Sequence, residues 1–203
     1  MKPSELLKKY LQADLAPSMA SLGFKYSASQ LHFSRKRNAI RQTFRFSLSK
    51  WNSQDNCSFW TLWAVTSKSY LEWHMQEWGE LPENDSLGGA ADWNLPAWER
   101  GQDRYFHFNN TGSDRYEIER LTKNINQVGI PFLDGISTWE GAAEQLLKDK
   151  SMYHRAADFL IIAGDFERAK EILLEGLRNY ENVGRVDNIG ELPKIKARVA
   201  RYF

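Results

Sequence analysis

One cysteine in 203 residues, Cys57, has no partner for an internal disulfide, so a cross-linked scaffold is excluded. No window approaches the roughly 18 uncharged apolar residues that a membrane helix requires. The opening MKPSELLKKYLQADLAP also lacks the unbroken apolar segment of a secretory leader. These scarcities predict a cytoplasmic chain with no membrane partner. Neither charge is in excess: 27 Lys and Arg face 26 Asp and Glu, a net of +1. That balance excludes a generally basic or generally acidic protein and leaves local patches to be examined.

Signatures of known chemistry are missing too. There is no G-x-G-x-x-G, no phosphate-binding G-x-x-x-x-G-K-[ST], no G-x-S-x-G elbow, no H-E-x-x-H and no calcium-loop spacing. His32, His74, His107 and His154 are scattered. His74 and Glu77 share a helical face but bring too few ligands for a metal, and His154 with Asp158 reads as a surface pair. Cys57 as a nucleophile would need a depressed pKa and a nearby histidine; a free cysteine is ordinarily a small buried hydrophobe. No catalytic residue, cofactor or metal ligand is assigned, and an enzyme of unrecognised type is only the third functional reading.

What is present is unevenly distributed. Residues 1–67 carry 10 basic and 3 acidic side chains, residues 68–150 carry 8 and 15, and residues 151–203 carry 9 and 8. All eight tryptophans lie between Trp51 and Trp139. Composition therefore divides the chain into a sheet-bearing domain, 1–136, and a helical part, 137–203.

Leu7, Leu11, Leu15, Met19 and Leu22 follow helical spacing, with Pro17 kinking or dividing the helix and Gly23 stopping it. Leu31 and Phe33 alternate with His32 and Ser34 as a strand. The basic turn Arg35-Lys36-Arg37-Asn38 leads into a second strand, Ile40–Leu48, with Gln42, Phe44 and Phe46 on one side and Arg41, Thr43 and Arg45 on the other. Residues 59–66 favour β structure on both faces, as a central strand does, and 104–108 predict a fourth strand. Residues 68–103 form an acidic connection with one helix around 70–78. Ile118, Leu121, Ile125 and Val128 predict a helix ended by Gly129 and Pro131. Ser137-Thr138-Trp139-Glu140 has capping-box form, and helices follow over 153–163, 166–180 and 193–202. The fold class is α+β: an N-terminal helix on a twisted antiparallel sheet of about four strands, then a C-terminal helical bundle.

Leu22-Gly23-Phe24-Lys25, Leu31-His32-Phe33-Ser34-Arg35 and Ser49-Lys50-Trp51-Asn52 resemble the uncharacterised bacterial family called domain of unknown function 4304, over roughly residues 4–135. The resemblance implies a small cytoplasmic α+β protein and a role in a toxin–immunity locus. Ala157-Asp158-Phe159 with Ala163-Gly164-Asp165-Phe166-Glu167-Arg168-Ala169 and Leu177 looks like the inner part of a tetratricopeptide helix pair. No second copy follows at that repeat's period, so a single αα-hairpin is the simpler reading.

Two surfaces are candidates for function. Glu72, Trp73, Glu77, Trp78, Glu80, Asp92, Trp93 and Trp98 combine carboxylates with indoles, which either fill the core or grip a basic partner. The first functional reading is thus a non-catalytic protein-binding module, an immunity protein engaging a basic toxin. The alternative is RNA or single-stranded DNA on a basic strand face, with Arg41, Arg45 and Lys50 on phosphates and Trp51 on a base.

Overall fold

The structure is a computed structural model describing residues 2–54, 56–99, 104–148, 150–182 and 190–203. The chain forms two compact units, Met1–Asp134 and Gly135–Phe203. The class is α+β, with helices making up the C-terminal part.

The first unit opens with α1 (Pro3–Tyr10), a π turn (Leu11–Leu15) and α2 (Ala16–Ser21). The widened turn directly precedes Pro17, which has no N–H and whose ring crowds the preceding turn. One helical run therefore survives the proline, burying Leu6, Leu7, Leu11, Leu15 and Met19.

Among the described residues six strands follow, where about four were expected: β1 (Lys25–Ser27), β2 (His32–Arg37), β3 (Ile40–Leu48), β4 (Cys57–Ser67), β5 (Ser86–Ala91) and β6 (Phe106–Phe108), with α3 (Lys68–Trp78) between β4 and β5. The sheet is antiparallel in the order β1-β2-β3-β4-β5, and β6 also pairs with β4. The expected basic turn is corrected. Arg35, Lys36 and Arg37 belong to β2, and the reversal is Asn38-Ala39 alone, with Asn38 at φ 55. β5 is Ser-Leu-Gly-Gly-Ala-Ala, whose glycines read as loop punctuation. A Cβ on Gly89 would lie 2.5 Å from the Trp63 carbonyl oxygen, so the close pairing with β4 needs that glycine.

Pleating separates the sheet into two faces. The inner one carries Phe33, Phe44, Phe46, Phe59, Trp63, Phe106 and Phe108, all buried. Phe33 stacks on Phe44 at 5.0 Å, and Phe44 on Trp63 at 4.6 Å. Helix α4 (Asp114–Asn124) runs through a π turn (Ile125–Gly129) into α5 (Ile130–Gly135), so Gly129 and Pro131 do not end it as expected. Pro131 follows that π turn, as Pro17 follows the first one, and the widened turn accommodates its ring and its missing N–H. Gly129 is needed for proximity: a Cβ there would lie 2.2 Å from the Trp63 ring. Arg35 is buried over the Phe24 ring and donates to Gln42 Oε1, Asp134 Oδ1 and the Leu22 carbonyl.

The second unit contains α6 (Trp139–Leu147), α7 (Tyr153–Ala163), α8 (Phe166–Leu177) with a π turn (Arg178–Asn182), and α9 (Glu191–Tyr202). The cap of α6 is Thr138, whose hydroxyl accepts from the Gly141 amide, one residue later than the expected box. Gly164 at φ 84 and the Asp165 cap turn α7 into α8. His154 and Asp158 do not make the expected surface pair. Asp158, fully buried, takes a bidentate pair of bonds from Arg198 at 2.8 and 2.7 Å. His154 instead meets Glu191, whose Oε1 also accepts the His154 amide. One face of α9 is thus pinned to α7 at both ends, with buried Ile195 between.

Two substitutions, with Gly135→Ala as a control, test these contacts. Gly129→Ala is expected to cost about 1–3 kcal/mol in urea unfolding by crowding Trp63, whereas Gly135→Ala, which meets nothing, stays near wild type. Asp158→Ala strands a buried guanidinium and is expected to cost about 3–5 kcal/mol in the same assay.

Candidate functional site

The face of the sheet opposite the aromatic core is read directly from strand register. One row across it is Ser27, His32, Arg45, Leu62 and Ala91; the next is Lys25, Ser34, Thr43, Ala64 and Gly89. Beyond it lie Lys36, Arg41, Thr66 and Ser86, and on the other side Ser47 sits opposite Trp60. Lys25, Lys36, Arg41 and Arg45 are exposed. Among the described residues no Asp or Glu lies in a strand. Among the described residues no ion pair involves Arg41 or Arg45.

Aromatic rings gather at one end of this face. Trp60 lies 5.9 Å from Trp93 and 5.7 Å from Tyr105, and Tyr105 lies 6.3 Å from His107. All four are half-buried. His107 pairs with Ser58 across β6 and β4, and its Nδ1 is 2.9 Å from the Ser58 hydroxyl. The β3–β4 connection joins the same end: Asn52 bonds both the amide and the carbonyl of Ser58. It carries Trp51, 79% exposed, with the Lys50 ammonium 4.9 Å over its ring. Between the rings and the cations runs a shallow groove lined by Thr43, Arg45, Leu62, Trp63, Ala64 and Ala90.

The acidic, tryptophan-rich segment does not form one surface. Asp92 is buried at the end of β5, accepting from the Thr61 amide at 2.7 Å and the Thr61 hydroxyl at 2.9 Å; that hydroxyl in turn accepts from Trp63 Nε1. Trp98 is also buried, edge-on to Trp63 and Phe106. Both are therefore corrected from partner contacts to interior parts. Trp93 belongs with Trp60 on the sheet. Helix α3 keeps Glu72, Trp73, Glu77 and Trp78, with Glu80 just after it; Glu72 and Glu80 are exposed, and the two indoles and Glu77 are half-buried. His74 is buried beside Tyr70, its Nδ1 2.8 Å from the Glu80 carbonyl, and so is a helix-end clasp. Among the described residues no group of three His, Cys, Asp or Glu is placed to hold a metal, and no helix is long and apolar enough to cross a membrane.

No family model, curated protein or solved structure matches this chain. The functional reading rests on the geometry.

Sequence reasoning found Arg41 and Arg45 through the alternation of β3. It missed Trp60, Tyr105 and Lys25 as members of the same face, and it placed Lys36 in a turn. A usable signal existed for Trp60: it sits an odd number of residues from Trp63, and two aromatics of opposite parity on a strand cannot share a face. The Arg35 guanidinium, expected beside Arg37 in the basic turn, points into the core.

Two titratable groups lie under the opposite, helix-covered face. Burial foremost, and then the charge of Asp114, pushes the Cys57 thiol from 9.0 up to about 12. Burial foremost, with the 2.8 Å bond to Asp114, pushes the Tyr10 phenol from 10.0 up to about 12. Both pKa values are raised by folding, so both groups stabilise the fold while protonated, fully below their ordinary values, and lose that contribution as pH rises toward about 12. Urea midpoints are expected to fall across pH 9–12, and less steeply in Tyr10→Phe. A thiol reagent is expected to label Cys57 only after unfolding.

Proposed function

We propose that this protein binds RNA or single-stranded DNA on the outer face of its sheet. The supporting observation is the charge pattern of that face: Lys25, Lys36, Arg41 and Arg45 project from it, and no strand contributes a carboxylate. A net charge of +1 for the whole chain does not weaken this, because solution ions screen charges more than about 10 Å apart and a ligand on the face meets local charge. Arginine suits the task through its planar fork of donors, which matches two phosphate oxygens at once.

Shape supports a single strand over a duplex. The major groove, about 12 Å wide, takes a helix or a two-stranded ribbon. Strands spaced about 4.8 Å apart and laid several abreast make a plate too broad to enter it. A protein partner gripped by the acidic segment fits less well, since Asp92 and Trp98 are sealed in the interior and Trp93 lies at the sheet's aromatic end.

Fluorescence anisotropy with a labelled single strand of about 12 nucleotides tests the reading. Four phosphate contacts are expected to give a slope of log K on log salt of roughly −3, and Arg41→Ala with Arg45→Ala to make it shallower by about 1.4 and weaken binding at least about tenfold at low salt. No binding at low salt, or a double variant that binds like wild type, would overturn it.

A further inference from the structure

Building on that reading, we infer that the strand lies with its bases turned inward, stacked on Trp60 and its ring neighbours, while its phosphates run along the cationic strip of β2 and β3. The two halves of the face offer a ligand different groups. The β1–β3 half presents charge on side chains that reach into solvent: Lys25, Lys36, Arg41 and Arg45. The β4–β6 half presents almost none. Its outward positions are Ser58, Trp60, Leu62, Ala64 and Thr66 on β4, with His107 on β6 and Gly89 and Ala91 on β5.

A strand bound only through phosphates would have no use for an indole, a phenol and an imidazole at one end of a solvent-facing sheet. Antiparallel sheets with one wet face normally alternate apolar-in and polar-out, and a second aromatic cluster on the wet side departs from that pattern. Trp60 has nothing to do with the core packing of β4, because its neighbours Phe59 and Thr61 serve the inner face. Trp60 meets Trp93 at a tilted 51° and Tyr105 at an edge-on 67°, so it makes a parallel slot for a free mononucleotide with neither. The three rings form a stepped platform, on which successive bases of a chain can each take a ring face.

Register fixes the spacing between the two functions. Arg45 is directly opposite Leu62, and Ser47 is opposite Trp60, so Arg45 is a diagonal neighbour of Trp60, roughly 7–8 Å away along the backbone. A cation one diagonal from a stacking ring places a phosphate beside the base it carries. The groove beside Arg45, where Leu62 and Ala64 face outward, continues the apolar seat toward the cationic strip. Exposed Trp51, with Lys50 above it, is carried on the β3–β4 connection that Asn52 ties to Ser58 at the ring-bearing end.

The experiment compares two probes of equal length and equal phosphate count: an ordinary single-stranded oligonucleotide and an abasic strand of the same backbone. The base-bearing probe is expected to bind about tenfold or more tightly, with the same salt slope, and it alone quenches the protein's tryptophan fluorescence. Trp60→Leu, which keeps apolar bulk but no ring, is expected to erase the difference between probes, while Trp60→Phe retains most of it. Equal affinity for the two probes, with Trp60→Leu without effect, would overturn the inward orientation and leave a phosphate-only site. Failure of both probes to bind at low salt would overturn the nucleic-acid reading itself.

Discussion

The position of the Trp63 indole governs the first unit. It stacks on Phe44, takes the edge of Trp98, presses on the backbone at Gly129 and donates its N–H to Thr61, which is held in turn by Asp92. Sheet, helical layer and the loop after β5 all meet on this ring. Because the strand period is two, fixing Trp63 inward also sends Trp60, Leu62, Ala64 and Thr66 to the other side. The candidate binding face is thus a consequence of the core: one buried indole commits every alternate residue of the central strand to solvent.

That dependence explains what could be read from the sequence. The alternation of β3 was legible because its inner residues are Phe and Gln and its outer ones Arg, Thr and Ser, so the face was marked by polarity. In β4 both parities are apolar, and nothing local says whether Trp60 or Trp63 faces in; only the register with β3 decides it. β5 was illegible for a different reason. Glycine and alanine have little preference for strands, and this segment is extended because β4 supplies a ladder partner and leaves no room for a Cβ at residue 89. Helix runs were legible as runs, whereas their breaks moved: Pro17 read as a kink or division and Gly129 and Pro131 as stops, but π turns let the backbone pass them while tertiary contacts held the flanks.

Charge was the least reliable guide. Asp92 and Asp158 were read as surface groups, yet the structure uses them, and Asp114 with them, as internal hydrogen-bond acceptors. Asp92 serves a backbone amide and a hydroxyl, Asp114 accepts from Tyr10 and the Asn109 amide, and Asp158 receives a buried arginine. A carboxylate with two or more donors aimed at it tolerates burial that an isolated one would not. Composition counts such residues as negative surface and so overstates the acidity that a partner would meet.

The same accounting sharpens the contrast between the two sides of β3. Asp134 is spent on Arg35, with Gln42 sharing it and Arg37 3.5 Å away. Its field is thereby directed at the inner side and the β2 end of the sheet. Arg41 and Arg45, on the outer side of the neighbouring strand, have no such counterion among the described residues; directly opposite them stand Lys36 and Thr66 for Arg41, and His32 and Leu62 for Arg45. These neighbours neither neutralise the guanidinium groups nor exclude water from them, so their positive potential projects outward. A near-neutral chain can therefore hold a cationic face, because its carboxylates are consumed in the interior and on the helices while the sheet itself has none.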